Sequence, residues 1–528
     1  MKFRYGKYFI LILFIASGIF HFTWLHKIGM GNTPGPVDPF LKTLQGYSLF
    51  LSNFSDQSIF YAFREIDQNY EFCFFQKEIF TFRLGNSLYG PFPIALTSLV
   101  GVLFHFLDFN NMFYFFAILN LLLYFILYRN VKQYISIAFL CFFGLPFFIP
   151  NSEVSEHAIL ILSQILGYRV LLYAHYELRN DKKLAYRFYF LSGILFGSGA
   201  FLRHEVLLFG NFLIVTFILL QWWKYRNKSR DWKKIFTFSI GLYLAFFLFF
   251  AMNKFMYGSS VGPRLNANSS GLYSDYIEKL SFFKVILWKD GPNFGLFGNN
   301  TLFLITLFLT VYNFRKWNRF DLLMLFPALG LILFVPLLAP NDGGSPWGAR
   351  YLFLSIYPLV YLSARVLFWM KGYFHGRFLF FLQFVFILSV LQTLSHEVKS
   401  LSASKEVSIQ QSKYMSETSI EGADLIIFTS ELVAMQTGIN YIKYPVVLFS
   451  HENSLTSFQT KFLNKKEKFK EIVLIEPKIE NINLSKFSKE DLEGIKPVKI
   501  IESFDKILLK TSIEEKELTI VHRYRNQK

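Results

Sequence analysis

Cysteine is nearly absent from the 528-residue chain. Cys73 lies in a polar stretch and Cys141 inside an apolar run, which leaves no disulfide framework and no thiolate metal site. No CxxC, HExxH or paired-histidine spacing occurs, so a tightly held metal is not indicated, although a weakly held divalent cation on carboxylates stays open. Charge is thin as well, at 17% of residues against about 25% in a soluble domain. Acid is scarcer than base, 37 residues against 54. There is no glycine-rich nucleotide fingerprint, and no internal repeat of the kind that builds the inverted halves of a transporter. What fills the chain instead is apolar side chains, 53% of the total with 67 phenylalanines. The charges sit in short runs between long apolar segments, the pattern of a multi-spanning membrane protein. Basic loops between spans account for the net charge of +17, which therefore does not point to nucleic acid.

Lys2, Arg4 and Lys7 precede an apolar run with no small-x-small cleavage site, which reads as an uncleaved first span. Stretches long enough for a bilayer begin near Tyr8, Met112, Tyr134, Glu156, Phe188, Val206, Ile235, Gly295, Asp321, Tyr351 and Phe378, eleven in all. A twelfth, from Pro91 to Leu107, is short and opens with Gly90-Pro91-Phe92-Pro93. With that segment in the outer interface, twenty basic residues in the linkers fall on one side; if it spanned, seventeen of them would move outside. The N terminus is therefore expected inside and the C terminus outside. The fold class that follows is a polytopic α-helical membrane protein of about eleven spans plus an outer interfacial helix, with a C-terminal α/β soluble domain. Residues 1–394 would form the membrane domain, with a first outer loop over 26–111, and residues 395–528 the outer domain. In that tail DLIIFTS, PVVLFS and EIVLIEP alternate with polar stretches, which predicts a mostly parallel sheet.

The outer face carries the residues with chemical potential. Asp38 opens an interfacial helix with Lys42 one turn later; the pair reads as a general base beside a cation, or Asp38 is an N-cap before Pro39. Glu153, Glu156 and His157 meet the same surface at the start of the fourth span, as functional groups or as helix caps. Arg203-His204-Glu205 fills a tight turn that is either an anion site or a solvated turn. Asn341 to Tyr351 combines glycines with Trp347, Arg350 and Tyr351, where Arg350 can pair bidentately with a phosphate. Arg264, Asp290 and Asn293 are weaker candidates in the second outer segment, and Arg169, deep in a span, is expected to snorkel.

In their order along the chain these stretches resemble the integral-membrane glycosyltransferases of the GT-C superfamily, in particular the bacterial relatives of protein O-mannosyltransferase and lipid A aminoarabinose transferase. The resemblance rests on VDPFLKTLQGYSL, Tyr89 to Pro93, GILFGSGAFLRHEVLLF, FGLFGNNTLFLITL and WGARYLFLSIYP. The family more often has Gly-Asp where this chain has Val37-Asp38. The resemblance implies a polyprenyl-phosphate-sugar donor, a lipid or protein acceptor at the periplasmic face of a bacterial inner membrane, and inversion by direct displacement. It assigns catalysis to Asp38, Glu156 or Glu153, donor phosphate binding to Arg350, Lys42, Arg203 and Arg264, and substrate lining to Tyr89, His157, His204, Trp347 and Tyr351. No organic cofactor is implied. The competing expectations are a glycan polymerase or ligase of the same face, a transporter of lipid-linked glycan, and a membrane scaffold.

Overall fold

The computed structural model describes residues 6–28, 37–73, 81–131, 135–145, 154–178, 180–223, 232–262, 276–290, 293–313, 316–339, 348–371, 376–418, 420–430, 434, 440–449, 457–458, 460–461, 468–478, 501–505 and 508–526. The longer helices are α1 (Gly6–Ile28), α2 (Val37–Leu51), α3 (Ile94–Leu103), α4 (Phe109–Val131), α5 (Ile135–Phe143), α6 (His157–Tyr176), α7 (Lys182–Ser198), α8 (Glu205–Trp223) and α9 (Trp232–Tyr257). They continue with α10 (Tyr276–Leu287), α11 (Thr301–Tyr312), α12 (Arg319–Leu338), α13 (Phe353–Lys371) and α14 (Gly376–Thr418). Among the described residues seven helices are long and apolar enough to cross a membrane, and three shorter apolar ones accompany them, Tyr8–Thr23, Ile94–Leu103 and Thr301–Tyr312. The segment expected to lie in the interface supplies only α3, whose ten residues reach about 15 Å, half a bilayer.

The chain groups into two compact units. The first comprises Met1–Trp24, Pro93–Leu96 and Tyr114–Ser402. Its helices begin where the sequence supplies caps. Asp181 accepts from the Leu184 amide at the start of α7, Asn300 does the same for Leu302 at α11, and Asn318 with Asp321 forms a capping box at α12. Asp321, fully buried, also accepts from Arg365 Nε at 3.0 Å and Nη2 at 3.2 Å and from the Tyr361 hydroxyl at 3.0 Å, so α12 and α13 are pinned by a satisfied ion pair. Arg169, exposed on α6, donates from its Nε to the Asn130 side chain near the end of α4. Glycine decides the closest approach. A methyl group at Gly193 of α7 would overlap the Phe238 carbonyl of α9, and one at Gly241 would overlap the Phe190 carbonyl in return. Small residues at such spacing let two backbones touch where lipid supplies no hydrophobic drive.

The second unit comprises Leu25–Phe92, Thr97–Phe113 and Ala403–Lys528, so the first outer segment and the tail share one core. The hairpin β1 (Phe82–Leu84) and β2 (Ser87–Tyr89) turns at Gly85, whose φ of 55° suits glycine. Arg64 joins Asp56, Ser58 and Ser87. Burial alone would raise the Asp56 carboxyl, but bonds from Ser58 and Arg64 hold it below its ordinary value. Asp67, completely buried, accepts from the Tyr61 hydroxyl, the Phe72 amide and Lys461 Nζ, while Phe63 stacks on Phe458 and Phe72 meets it edge-on. The tail holds a five-stranded sheet of order β6-β5-β7-β9-β8, formed by β5 (Leu425–Phe428), β6 (Val446–Leu448), β7 (Glu471–Pro477), β8 (Leu509–Glu515) and β9 (Thr519–Arg525). The three apolar runs pair in parallel as expected, but β7–β9 and β9–β8 are antiparallel, which corrects the mostly parallel expectation. Strand β8 alternates exposed and half-buried residues, and its mixed sequence LKTSIEE gives it none of the apolar run that marked the others. Glu417, at the end of α14, accepts from the Leu518 amide and the Thr519 hydroxyl and so closes the β8–β9 turn.

The α7–α9 contact yields a direct expectation. Gly193→Val must push the helices apart, at a cost of about 1–3 kcal/mol or more. A lower melting temperature in detergent is expected, whereas Gly376→Ala, where a methyl group meets nothing, should leave it unchanged.

Candidate functional site

The first unit gathers several of the sequence-derived candidates at one end of α6. Glu156 occupies the N-cap position of that helix, yet its side chain makes no capping hydrogen bond. It turns instead to Arg203, whose Nη1 lies 3.1 Å from Glu156 Oε1. The same guanidinium makes a two-point contact with Glu205, Nη2 to Oε1 at 2.6 Å and Nε to Oε2 at 3.1 Å. Arg203 is 2% exposed and Glu156 1%, so the turn between α7 and α8 is a buried ion triad and not a solvated turn. Burial works against the Arg203 charge, but Glu205 first and Glu156 next more than offset it and raise its pKa. With two carboxylates on one guanidinium, the triad carries a formal charge of −1.

Aromatic rings frame it. The Arg203 guanidinium stands 5.7 Å from the centroid of Tyr351, and that of Arg350 stands 5.3 Å from the same ring. Arg350 and Tyr351 belong to the short 3-10 turn Gly348–Leu352 that leads into α13. The His157 ring meets Phe353 edge-on at 4.1 Å, and its backbone amide donates to Ser155 Oγ. His204 packs edge-on against Phe249 of α9 at 5.5 Å. Thus Glu156, His157, Arg203, His204, Arg350 and Tyr351, distant in sequence, are held within one set of helix ends in the first unit.

Lys42 and Tyr89 lie in the second unit. Lys42 is buried with Nζ 5.3 Å from the Phe92 ring, and Tyr89 closes the β1–β2 hairpin stacked on Phe82. A Cβ on Gly90 would meet Gln45 Oε1 and the Phe92 ring, so a larger residue there would have to shift those side chains. Helix α2 begins at Val37, one residue before Asp38, which places Asp38 in its first turn, where a helix N-terminus favours a carboxylate. The Asp38 side chain lies outside the described residues, as do Glu153, Arg264 and Trp347 and the side chains of Asp290 and Asn293. Among the described residues no group of three or more His, Cys, Asp or Glu converges as a metal site.

Two carboxylates stand outside the expected site residues, the half-buried Glu205 and the buried Glu397. Glu205 is the bidentate partner of Arg203, a role the bare Arg-His-Glu tripeptide signals only as clustered charge. Glu397 of α14 is 3% exposed, next in sequence to His396, which stacks on Phe294 at 4.0 Å. Its signal was a lone acid at the end of an apolar run.

No family model matches the sequence, and no curated protein matches it either. Similarity appears in the fold. The structure of ArnT from Cupriavidus metallidurans bound to undecaprenyl phosphate superposes with a TM-score of 0.55 at 10% identity, over 98% of this chain and 98% of that one. The same protein in its apo state gives 0.52 over the same shares at 10% identity. An Archaeoglobus fulgidus oligosaccharyltransferase tethered to an acceptor peptide gives 0.51 at 12% identity, over 99% of this chain and 74% of that one. The chain therefore has the fold of these proteins from end to end, as the resemblance of its motifs implied.

The triad makes a coupled prediction. Arg203→Ala strands the buried Glu156 and the half-buried Glu205 and should cost about 3–5 kcal/mol. Adding Glu156→Gln removes one stranded charge, so the double variant should melt above the single one. Additive losses in a thermal double-mutant cycle would show that the three groups do not act together.

Proposed function

We propose that the chain is a GT-C-type glycosyltransferase that moves a sugar from a polyprenyl-phosphate-linked donor to a lipid or protein acceptor. The observation that supports this most is the end-to-end likeness in fold to a protein bound to undecaprenyl phosphate. The charge pattern of the linkers agrees with a multi-pass protein of a bacterial inner membrane, with the motifs and the tail on the periplasmic side.

The reaction asks for two groups. An acceptor hydroxyl attacks the anomeric carbon and must give up its proton, which we assign to Asp38. The bond from that carbon to the phosphate oxygen breaks with inversion, and the lipid phosphate leaves with one more negative charge, which we assign to Arg350. A guanidinium suits a departing phosphate because its planar fork meets two oxygens at once. Arg203, already engaged by Glu156 and Glu205, is a positioning residue in this reading: it fixes the start of α6 and the Tyr351 ring beside Arg350. Lys42, buried on α2 one turn after Asp38, keeps a cation on the helix that carries the base.

Two variants test the roles separately. Arg350→Ala should lower transfer by about 10²- to 10³-fold, the usual loss when one donor to a developing oxyanion is removed, with little change in melting temperature. Asp38→Asn should abolish restoration of the missing sugar when mass spectra of surface glycolipids and glycoproteins are compared between deleted and complemented cells. If no glycan changes on deletion, the transferase reading fails; if Asp38→Asn restores the glycan fully, Asp38 is not the base and Glu156 or Glu153 becomes the residue to replace.

A further inference from the structure

The opposite end of the same helices carries different chemistry. Helix α6 runs from Glu156 at one end to His175 in its last turn, a rise of about 30 Å for its 20 residues. Beside His175 opens a cavity of 330 Å³ whose polar lining is His175, Lys182, Tyr189, Gln221, Lys234 and Arg319. These come from five helices, α6, α7, α8, α9 and α12, so the cavity is built by the tertiary fold and not by one segment. Phe217, Leu220 and Leu323 make its apolar walls.

Three features point to one kind of occupant. Lys182, Lys234 and Arg319 all line the cavity, and among the described residues no aspartate or glutamate lines it. Of the acids nearest in sequence, Asp181 accepts from the Leu184 amide and Asp321 from Arg365, while Glu177 is exposed at the end of α6. His175 Nδ1 lies 3.0 Å from the Tyr189 hydroxyl, and Lys234 Nζ stands 5.9 Å from the Tyr189 ring, so Tyr189 places both groups at the wall. Tyr176 of the lining is 49% exposed, and the same ends of α6, α8 and α9 carry further exposed aromatic residues, Tyr173 at 46%, Trp222 at 63% and Trp232 at 40%. Such a belt marks the level of lipid headgroups. The volume is that of a small ligand site.

We propose that this cavity binds the phosphate of an anionic lipid headgroup, with Lys182, Lys234 and Arg319 as its cations and the apolar wall against the upper part of the lipid chains. The site is separate from the Glu156–Arg203 cluster and stands whether or not the transferase reading holds. A soluble phosphate compound would share the headgroup's chemistry, and the experiment separates the two sources.

Full-length protein purified in a neutral detergent is offered dioleoylphosphatidylglycerol or dioleoylphosphatidylcholine and the bound lipid counted by native mass spectrometry; inorganic phosphate is tested in parallel by thermal shift. Phosphatidylglycerol should be retained over phosphatidylcholine, and Lys234→Gln with Arg319→Gln should weaken that retention by about tenfold or more, since each removes a charge-assisted contact. Lys233→Gln, at an exposed neighbour that does not line the cavity, should leave it unchanged. Should the double variant fail to fold, Lys182→Gln at the exposed first residue of α7 reads the same loss. Equal retention of phosphatidylglycerol in the cavity variants and wild type overturns the site, as does an equal loss in Lys233→Gln. A thermal shift by inorganic phosphate that the cavity variants lose, without selective lipid retention, overturns the lipid source and leaves a soluble phosphate ligand.

Discussion

A guanidinium buried between helix ends must be met by carboxylate, and the first unit is organised around that requirement. Arg203 leaves the short turn after α7 with almost no solvent, where an unpaired charge would cost several kcal/mol. Glu205 answers from the next helix with two contacts, and Glu156 answers from the start of α6 with a third. Three helices are thereby tied at one point. Tyr351 then sets its ring near Arg203, which brings the turn before α13, and Arg350 with it, to the same place. Two acids on one base leave a net negative charge, so a second cation nearby is electrostatically welcome. Arg350 supplies it.

The position of Arg203 depends in turn on glycine. Gly193 and Gly197 of α7 face Phe238, Leu242 and Ala245 of α9 at backbone contact, and no side chain larger than hydrogen fits there. That close crossing directs the end of α7, and hence the arginine, inward. The far ends of these helices diverge and leave the cationic cavity at His175 and Lys234. One bundle therefore has a carboxylate-rich, closed end and a cation-lined, open end, separated by the length of α6.

The second unit follows another logic, that of a soluble core. Its outer loop and its tail meet through stacked phenylalanines and through Asp67, whose oxygens are satisfied by a tyrosine, an amide and a lysine. A buried carboxylate whose oxygens all find donors ties the segments that supply them. The sheet carries its fully apolar strands β5 and β6 in parallel and ends on the half-exposed β8.

The membrane class, the helix positions and the strands β5, β6 and β7 were legible in the sequence, because long apolar runs and short β-branched runs bury themselves in few ways. The sequence also marked Glu156, Arg203, Arg350 and Tyr351 one by one, since charge and aromatic residues at span ends are costly or conspicuous. Only the tertiary structure decided which of them meet. Arg-His-Glu in a tight turn is equally compatible with water and with burial, and the choice was made by the α7–α9 crossing and by Glu156, 47 positions away. The β8–β9 hairpin escaped the sequence reading because alternation of charge and apolar residues over seven positions is weak beside a continuous apolar run. The cavity of five helix ends had no local signal at all: each of its cations reads as an ordinary basic residue at a span end, and their convergence is a property of packing alone.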